Sequence, residues 1–135
     1  MNDIKNKVAY ITGGSKGIGL GIAKSLLDSG MRVAITSRSL GAAKEAAASL
    51  SNDSSKILAI ESEVSSLAAE MKAIKTVTDY FGQLDVVIAN AGIGHFAPID
   101  SITEEQWKET IDTNLTGVFN SVKASVESLK QSKGY

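Results

Sequence analysis

The sequence predicts an α/β protein, a parallel sheet with helices packed on its faces, and two features carry that prediction. Short apolar runs alternate with segments whose apolar residues recur at three and four residues. The first such run leads directly into a glycine-rich turn that opens a helix pattern. Alternating strands and crossover helices return the chain to the same end of the sheet each time, so the strands run parallel with right-handed connections.

The first strand is Val8-Ala9-Tyr10-Ile11, followed by Thr12-Gly13-Gly14-Ser15-Lys16-Gly17-Ile18-Gly19. Ile18, Ile22, Ala23, Leu26 and Leu27 then keep helical spacing to about Ser29, and Gly30 stands where a helix ends in a left-handed residue. Met31 to Thr36 is a second strand, mostly apolar as suits a strand covered on both faces. Ser39 can cap a helix from Leu40 to about Leu50, and the cluster Ser51-Asn52-Asp53-Ser54-Ser55 is a surface loop. Lys56 to Ile60 is the third strand. Leu67, Met71, Ile74, Val77 and Phe81 mark the buried face of the next helix, closed by Gly82, and Asp85 to Asn90 is the fourth strand.

The last third is one long helical pattern. Thr103 with Gln106 forms a capping box and Ile102 with Trp107 takes the positions of a hydrophobic staple, which sets the start at Glu104. Trp107, Ile111, Leu115, Val118, Phe119, Val122, Val126 and Leu129 make an apolar stripe, with a bend near Thr116-Gly117.

Composition narrows the function. In 135 residues there are 14 basic and 15 acidic side chains, a formal charge of −1, and no basic block, so neither a nucleic-acid surface nor a polybasic membrane patch is expected. With no cysteine and one histidine, disulfides, thiol chemistry and thiolate or multi-histidine metal sites are not expected either. The polar stretch Met1 to Lys7 lacks an apolar signal core, and no apolar run approaches the ~18 residues of a membrane span, so a cytoplasmic location is expected.

The glycine turn reads as a phosphate-binding element. Glycines spaced G-x-x-x-G-x-G let the backbone turn sharply and approach a pyrophosphate closely at the start of the helix. The spacing fits neither a Walker loop, since Gly14 and Gly19 are followed by Leu20 and Gly21, nor G-x-G-x-x-G. It closely resembles the glycine motif of the short-chain dehydrogenase/reductase family, and Asn90-Ala91-Gly92 is similar to that family's Asn-Ala-Gly motif.

The resemblance implies a Rossmann-like sheet of strand order 3-2-1-4, with residues 1–135 forming one dinucleotide-binding half that is truncated before strand five. The crevice between strands one and four would then hold the cofactor against Gly13, Ser15, Lys16, Gly17, Ile18 and Gly19 on one side and Asn90, Ala91 and Gly92 on the other. At the end of strand two stand Ser37 and Arg38, where an NAD enzyme usually carries an acid. Arg38, with Lys16 beside it, offers cations to a 2′-phosphate, which favours NADP over NAD; the plain alternative is two solvated surface cations. Glu63-Val64 resembles the family's Asp-Val pair at the adenine, with glutamate replacing aspartate, and an exposed surface glutamate is the other reading.

Asn114 matches the family's helix asparagine, whose carbonyl holds a water of the proton relay, so it is the one catalytic candidate; a packed polar residue satisfied by hydrogen bonds is the alternative. His95, alone in its loop, is given no role. The family's reaction needs a tyrosine whose pKa is lowered by a lysine four residues later. Here Tyr10 is followed by Gly14, Tyr80 by Leu84, and Tyr135 is the last residue, so no Tyr-x-x-x-Lys occurs. The catalytic serine, tyrosine and lysine would all lie beyond Tyr135, and this chain alone is expected not to catalyse.

Three readings follow: the NADP-binding portion of a short-chain oxidoreductase, a split enzyme completed by another chain, or a non-catalytic nucleotide-binding or interaction module. All three leave strand four as an open apolar edge and the stripe of the 104–130 helix without cover, which predicts a homo-oligomer or a partner chain on that helix. The substrate is not legible in these residues.

Overall fold

In a computed structural model, which describes residues 3–135, the elements run in chain order as β1 (Val8–Ile11), α1 (Gly17–Asp28), β2 (Arg32–Ser37), α2 (Leu40–Leu50), β3 (Ile57–Glu61), α3 (Leu67–Phe81), β4 (Val86–Ile88), α4 (Glu104–Ile111), a π-helical segment (Asp112–Thr116) and α5 (Gly117–Ser132). Met1 and Asn2 of the polar N-terminal stretch lie outside the described residues. The four strands pair in parallel in the order β3-β2-β1-β4, as expected.

Side chains alternate across the sheet and so build two cores. Val8, Tyr10 and Ala34 face α3 with Ile74, Val77 and Phe81, whereas Ile11, Val33 and Ile35 face α1 and α2 with Ala23, Ala46 and Ala47. β1, paired on both sides, is wholly buried. Helix ends follow their local signals. Ser39 accepts the Ala42 amide, Thr103 and Gln106 make both bonds of the capping box, and Gly30 and Gly82 carry left-handed backbone.

Four expectations need correction. β4 is shorter than Asp85 to Asn90 because the Asn90 amide donates to the Thr12 hydroxyl, at 3.0 Å, which turns the chain out of the ladder. Its outer edge is also partly covered: the Tyr135 amide donates to the Asp85 carbonyl at 2.7 Å, and the Val87 amide donates back to the Tyr135 carbonyl at 2.9 Å. In α3 the buried face includes Glu70 rather than Met71, which is 57% exposed.

The bend expected near Thr116-Gly117 is instead a π-helical turn spanning Asp112–Thr116, in which the hydrogen bond reaches one residue further than in the α-helices on either side. α5 faces α3 with Gly117, Asn120, Ser121 and Ser125, small or polar residues that let the helices approach. The apolar stripe that runs along α4, the π-helical segment and α5 points away. Trp107, Leu115, Phe119 and Val122 are each more than half exposed and Val118 and Val126 are exposed as well, while Leu129 packs on the core.

Candidate functional site

The carboxyl ends of the four strands surround a cleft of about 520 Å³ at the point where strand order reverses. Its floor is the glycine turn. Gly13 and Gly17 take positive φ of 63° and 56°, and the Gly14 amide donates to the Thr36 carbonyl at 3.0 Å, fastening the turn to β2. Gly19 is a spacer. A Cβ there would lie 2.4 Å from the Gly13 carbonyl oxygen and 2.5 Å from Asn90 Nδ2. Lys16 stands at the N-cap of α1 without a side-chain cap, so the first amides of the helix have no partner from that side chain.

The turn is locked to the loop after β4. Asn90 Nδ2 donates to the carbonyls of Thr12 (3.0 Å) and Gly13 (3.2 Å), and the Thr12 hydroxyl accepts the amides of Asn90 and Ala91, both at 3.0 Å. Thr12 thus joins the two loops beside the cleft, a bond pattern the motif did not reveal. Asn114 closes the next stretch: its Oδ1 accepts the Ile93 amide and its Nδ2 donates to the Ile93 carbonyl, both at 2.8 Å.

Of the expected cofactor residues, Gly13, Ser15, Lys16, Gly17, Ile18, Ser37, Arg38, Glu63, Val64, Asn90, Ala91 and Gly92 all line the cleft. Gly19 lies beneath it, buried, and Asn114 lies outside, with its neighbour Thr113 on the lining instead. Thr36, Ala42, Ser62 and Ile93 also line it and escaped the sequence reading; Thr36 and Ser62 carry the one available signal, a hydroxyl at or just past a strand end.

Two cations stand at the cleft, Arg38 just past β2 and Lys16 at the start of α1. Arg38 and Lys16 are exposed at the cleft, and among the described residues neither enters an ion pair. Glu63 is half-buried with Oε1 accepting the Ser65 amide at 3.3 Å, and Val64 is buried beside it. His95 meets Glu109 on α4 at 3.0 Å, which ties its loop down. Among the described residues no group of acidic and histidine side chains could hold a metal ion, and no helix is long and apolar enough to cross a membrane.

A parallel sheet of order 3-2-1-4 with helices on both faces and a glycine-floored cleft at the switch point defines a Rossmann-like α/β protein. The family profile described as short chain dehydrogenase matches residues 7–135, and the chain belongs to that family. It is 33% identical over 127 residues to the NADP-dependent (R)-specific alcohol dehydrogenase of Lentilactobacillus kefiri, a match covering 94% of this chain and 50% of that protein.

Among solved structures, an alcohol dehydrogenase from Thermococcus sibiricus complexed with 5-hydroxy-NADP superposes with a TM-score of 0.89 at 37% identity, over 96% of this chain and 56% of the other. A 3-ketoacyl-(acyl-carrier-protein) reductase from Brucella melitensis complexed with NADH gives 0.89 at 28% identity, over 95% and 52%. The chain spans about half the length of the curated relatives it matches.

Proposed function

We propose that residues 1–135 form the NADP(H)-binding domain of a short-chain oxidoreductase. The observation that carries the reading is the pairing of a helix start without a side-chain cap, on a glycine floor, with two cations at the same cleft, Lys16 and Arg38, that enter no ion pair among the described residues. The cleft volume suits a dinucleotide cofactor. The α1 amides would take the pyrophosphate, Arg38 and Lys16 the 2′-phosphate, and Glu63 and Val64 the adenine. When bound, the cofactor supplies the hydride chemistry of the family. Asn114 commits both polar atoms of its side chain to Ile93 and so holds the loop beside the cleft; the water-binding role at its backbone carbonyl is carried over from the family resemblance.

A thermal-shift titration with NADPH and, separately, NADH tests this. Stabilisation by NADPH that exceeds the effect of NADH and is lost in Arg38→Asp is expected. No shift with either cofactor refutes the reading; equal shifts, unchanged in Arg38→Asp, refute the NADP preference.

The exposed stripe supports a second element of the same reading: association with another chain through residues 104–130. A second copy is the partner proposed, and Val118→Asp is expected to convert dimer to monomer in light scattering after size exclusion. A wild-type chain that is monomeric at micromolar concentration refutes it. Co-purification of a chain that restores carbonyl reduction would instead favour the split enzyme.

A further inference from the structure

Behind the cleft lies a carboxyl group to which the proposed chemistry gives no work. Glu70, in the first turn of α3, is fully buried. Its Oε1 accepts from the Tyr10 phenol at 2.8 Å and the Ser62 hydroxyl at 2.6 Å, and its Oε2 accepts from the Ser121 hydroxyl at 2.8 Å. Among the described residues no cation pairs with it. A buried acid without a cation is expensive, and here three hydroxyl donors and the start of a helix offset the cost. Burial first, and then the Glu70 charge, push the Tyr10 phenol well above its ordinary value, so it stays a donor.

The three donors come from β1, from the loop after β3 and from α5, and two of them lead to the cleft. Ser62 lines the cleft and directly precedes Glu63 and Val64. Val64 is held from behind: Asn120 Nδ2 donates to its carbonyl at 2.8 Å, and its side chain packs so close to Gly117 that a Cβ there would come within 2.7 Å. Ser121 Oγ also lies 2.9 Å from the Gly117 carbonyl, so its single proton is shared between that carbonyl and Glu70. Glu70 therefore grips the wall that carries Val64 at both its front, through Ser62, and its back, through Ser121.

We propose that Glu70 is the positioning residue of this wall, holding Ser62 and Ser121 so that Val64 is fixed in the place where an adenine ring packs. The proposal rests on the cofactor reading above. A carboxyl that merely braced the fold would lower stability and weaken every ligand alike. A positioning residue weakens the ligand that touches its wall and spares the ligand that touches only the glycine turn.

The test is calorimetry on the whole chain with two probes, adenosine 2′,5′-bisphosphate and inorganic pyrophosphate, for the wild type, Glu70→Gln and Ser121→Ala. Glu70→Gln is expected to weaken the bisphosphate at least fivefold and to leave pyrophosphate within twofold. Equal weakening of both probes, or no weakening of the bisphosphate, overturns the positioning role. If Glu70→Gln does not fold, Ser121→Ala is read by the same criteria, since it removes one grip and keeps the carboxyl. Failure of the wild type to bind either probe refutes the cofactor reading itself, whereas a wild type that binds and a variant that binds equally refutes Glu70 alone.

Discussion

Gly19→Ala should be the most damaging single-methyl change in the glycine turn, and its cost can be worked from contacts. The added carbon would stand 2.4 Å from the Gly13 carbonyl oxygen and 2.5 Å from Asn90 Nδ2, and neither is the free end of a flexible chain, because Asn90 is itself bonded to Thr12 and Gly13. Overpacking of this kind costs about 1–3 kcal/mol, and displacing Asn90 loses two hydrogen bonds at roughly 1 kcal/mol each. Against that, alanine gains up to about 1 kcal/mol over glycine in a helix, leaving a net loss near ~3 kcal/mol. Gly21, two residues on in the same helix, is the control: a Cβ there meets nothing, so Gly21→Ala should gain up to about 1 kcal/mol. Urea unfolding followed by circular dichroism separates the two, with the midpoints moving in opposite directions by on the order of 1 M or more for Gly19→Ala. If Gly19→Ala loses less than about 1 kcal/mol, the turn can relax away from Asn90 and the claim of a locked cleft floor is wrong.

Two further predictions concern buried ionisable groups. For Asp85, burial alone would raise the carboxyl, but the Val8 amide, Lys7 and Gln83 outweigh it and hold the group below the usual carboxylate range. A depressed acid contributes stability that is complete above its unfolded value of about 3.9 and is lost as pH falls from there through its lower folded value, so Asp85→Asn should be about 2 kcal/mol less stable at neutral pH. The gap from wild type should close below about pH 4 in pH-dependent urea unfolding; a gap constant with pH contradicts the assignment. For Tyr10, the raised phenol contributes stability that is complete below the unfolded value near ~10 and is lost as pH climbs above it. Wild type and Tyr10→Phe should therefore show the same tyrosinate absorbance while native, differing only once alkali unfolds the chain. An extra native ionisation in the wild type would contradict the buried bond to Glu70.

Much of the fold was legible because strand and helix periodicities alternate without interruption, and the glycine turn and Asn90-Ala91-Gly92 located the cleft from either end. Legibility failed where burial depends on distant partners. Met71 outranks Glu70 by hydropathy, but hydroxyls from Tyr10, Ser62 and Ser121, up to 60 residues away in the chain, reverse their positions. The stripe on α5 was plain in sequence, whereas the opposite face, Gly117, Asn120, Ser121 and Ser125, gave no hydropathy signal that it was the side toward α3. Nothing in Asp112 to Thr116 announces a π turn, and Asn114 showed its type but not that both its amide atoms serve Ile93. Thr12 stood inside the motif, yet its double acceptance from Asn90 and Ala91 needed β4 alongside β1 to exist.

The reciprocal bonds between Thr12, Gly13 and Asn90 have a consequence for the entropy of any occupant's arrival. Two of the loops around the cleft are already joined before a ligand comes, so neither must be ordered at that moment, and the conformational cost that usually erodes affinity is small on this side. What freedom remains lies with the long, exposed side chains of Lys16 and Arg38 at the cleft. Capture should accordingly resemble a hand closing two fingers on a rigid palm, with the association rate set by diffusion and charge and the dissociation rate by how well those two cations settle.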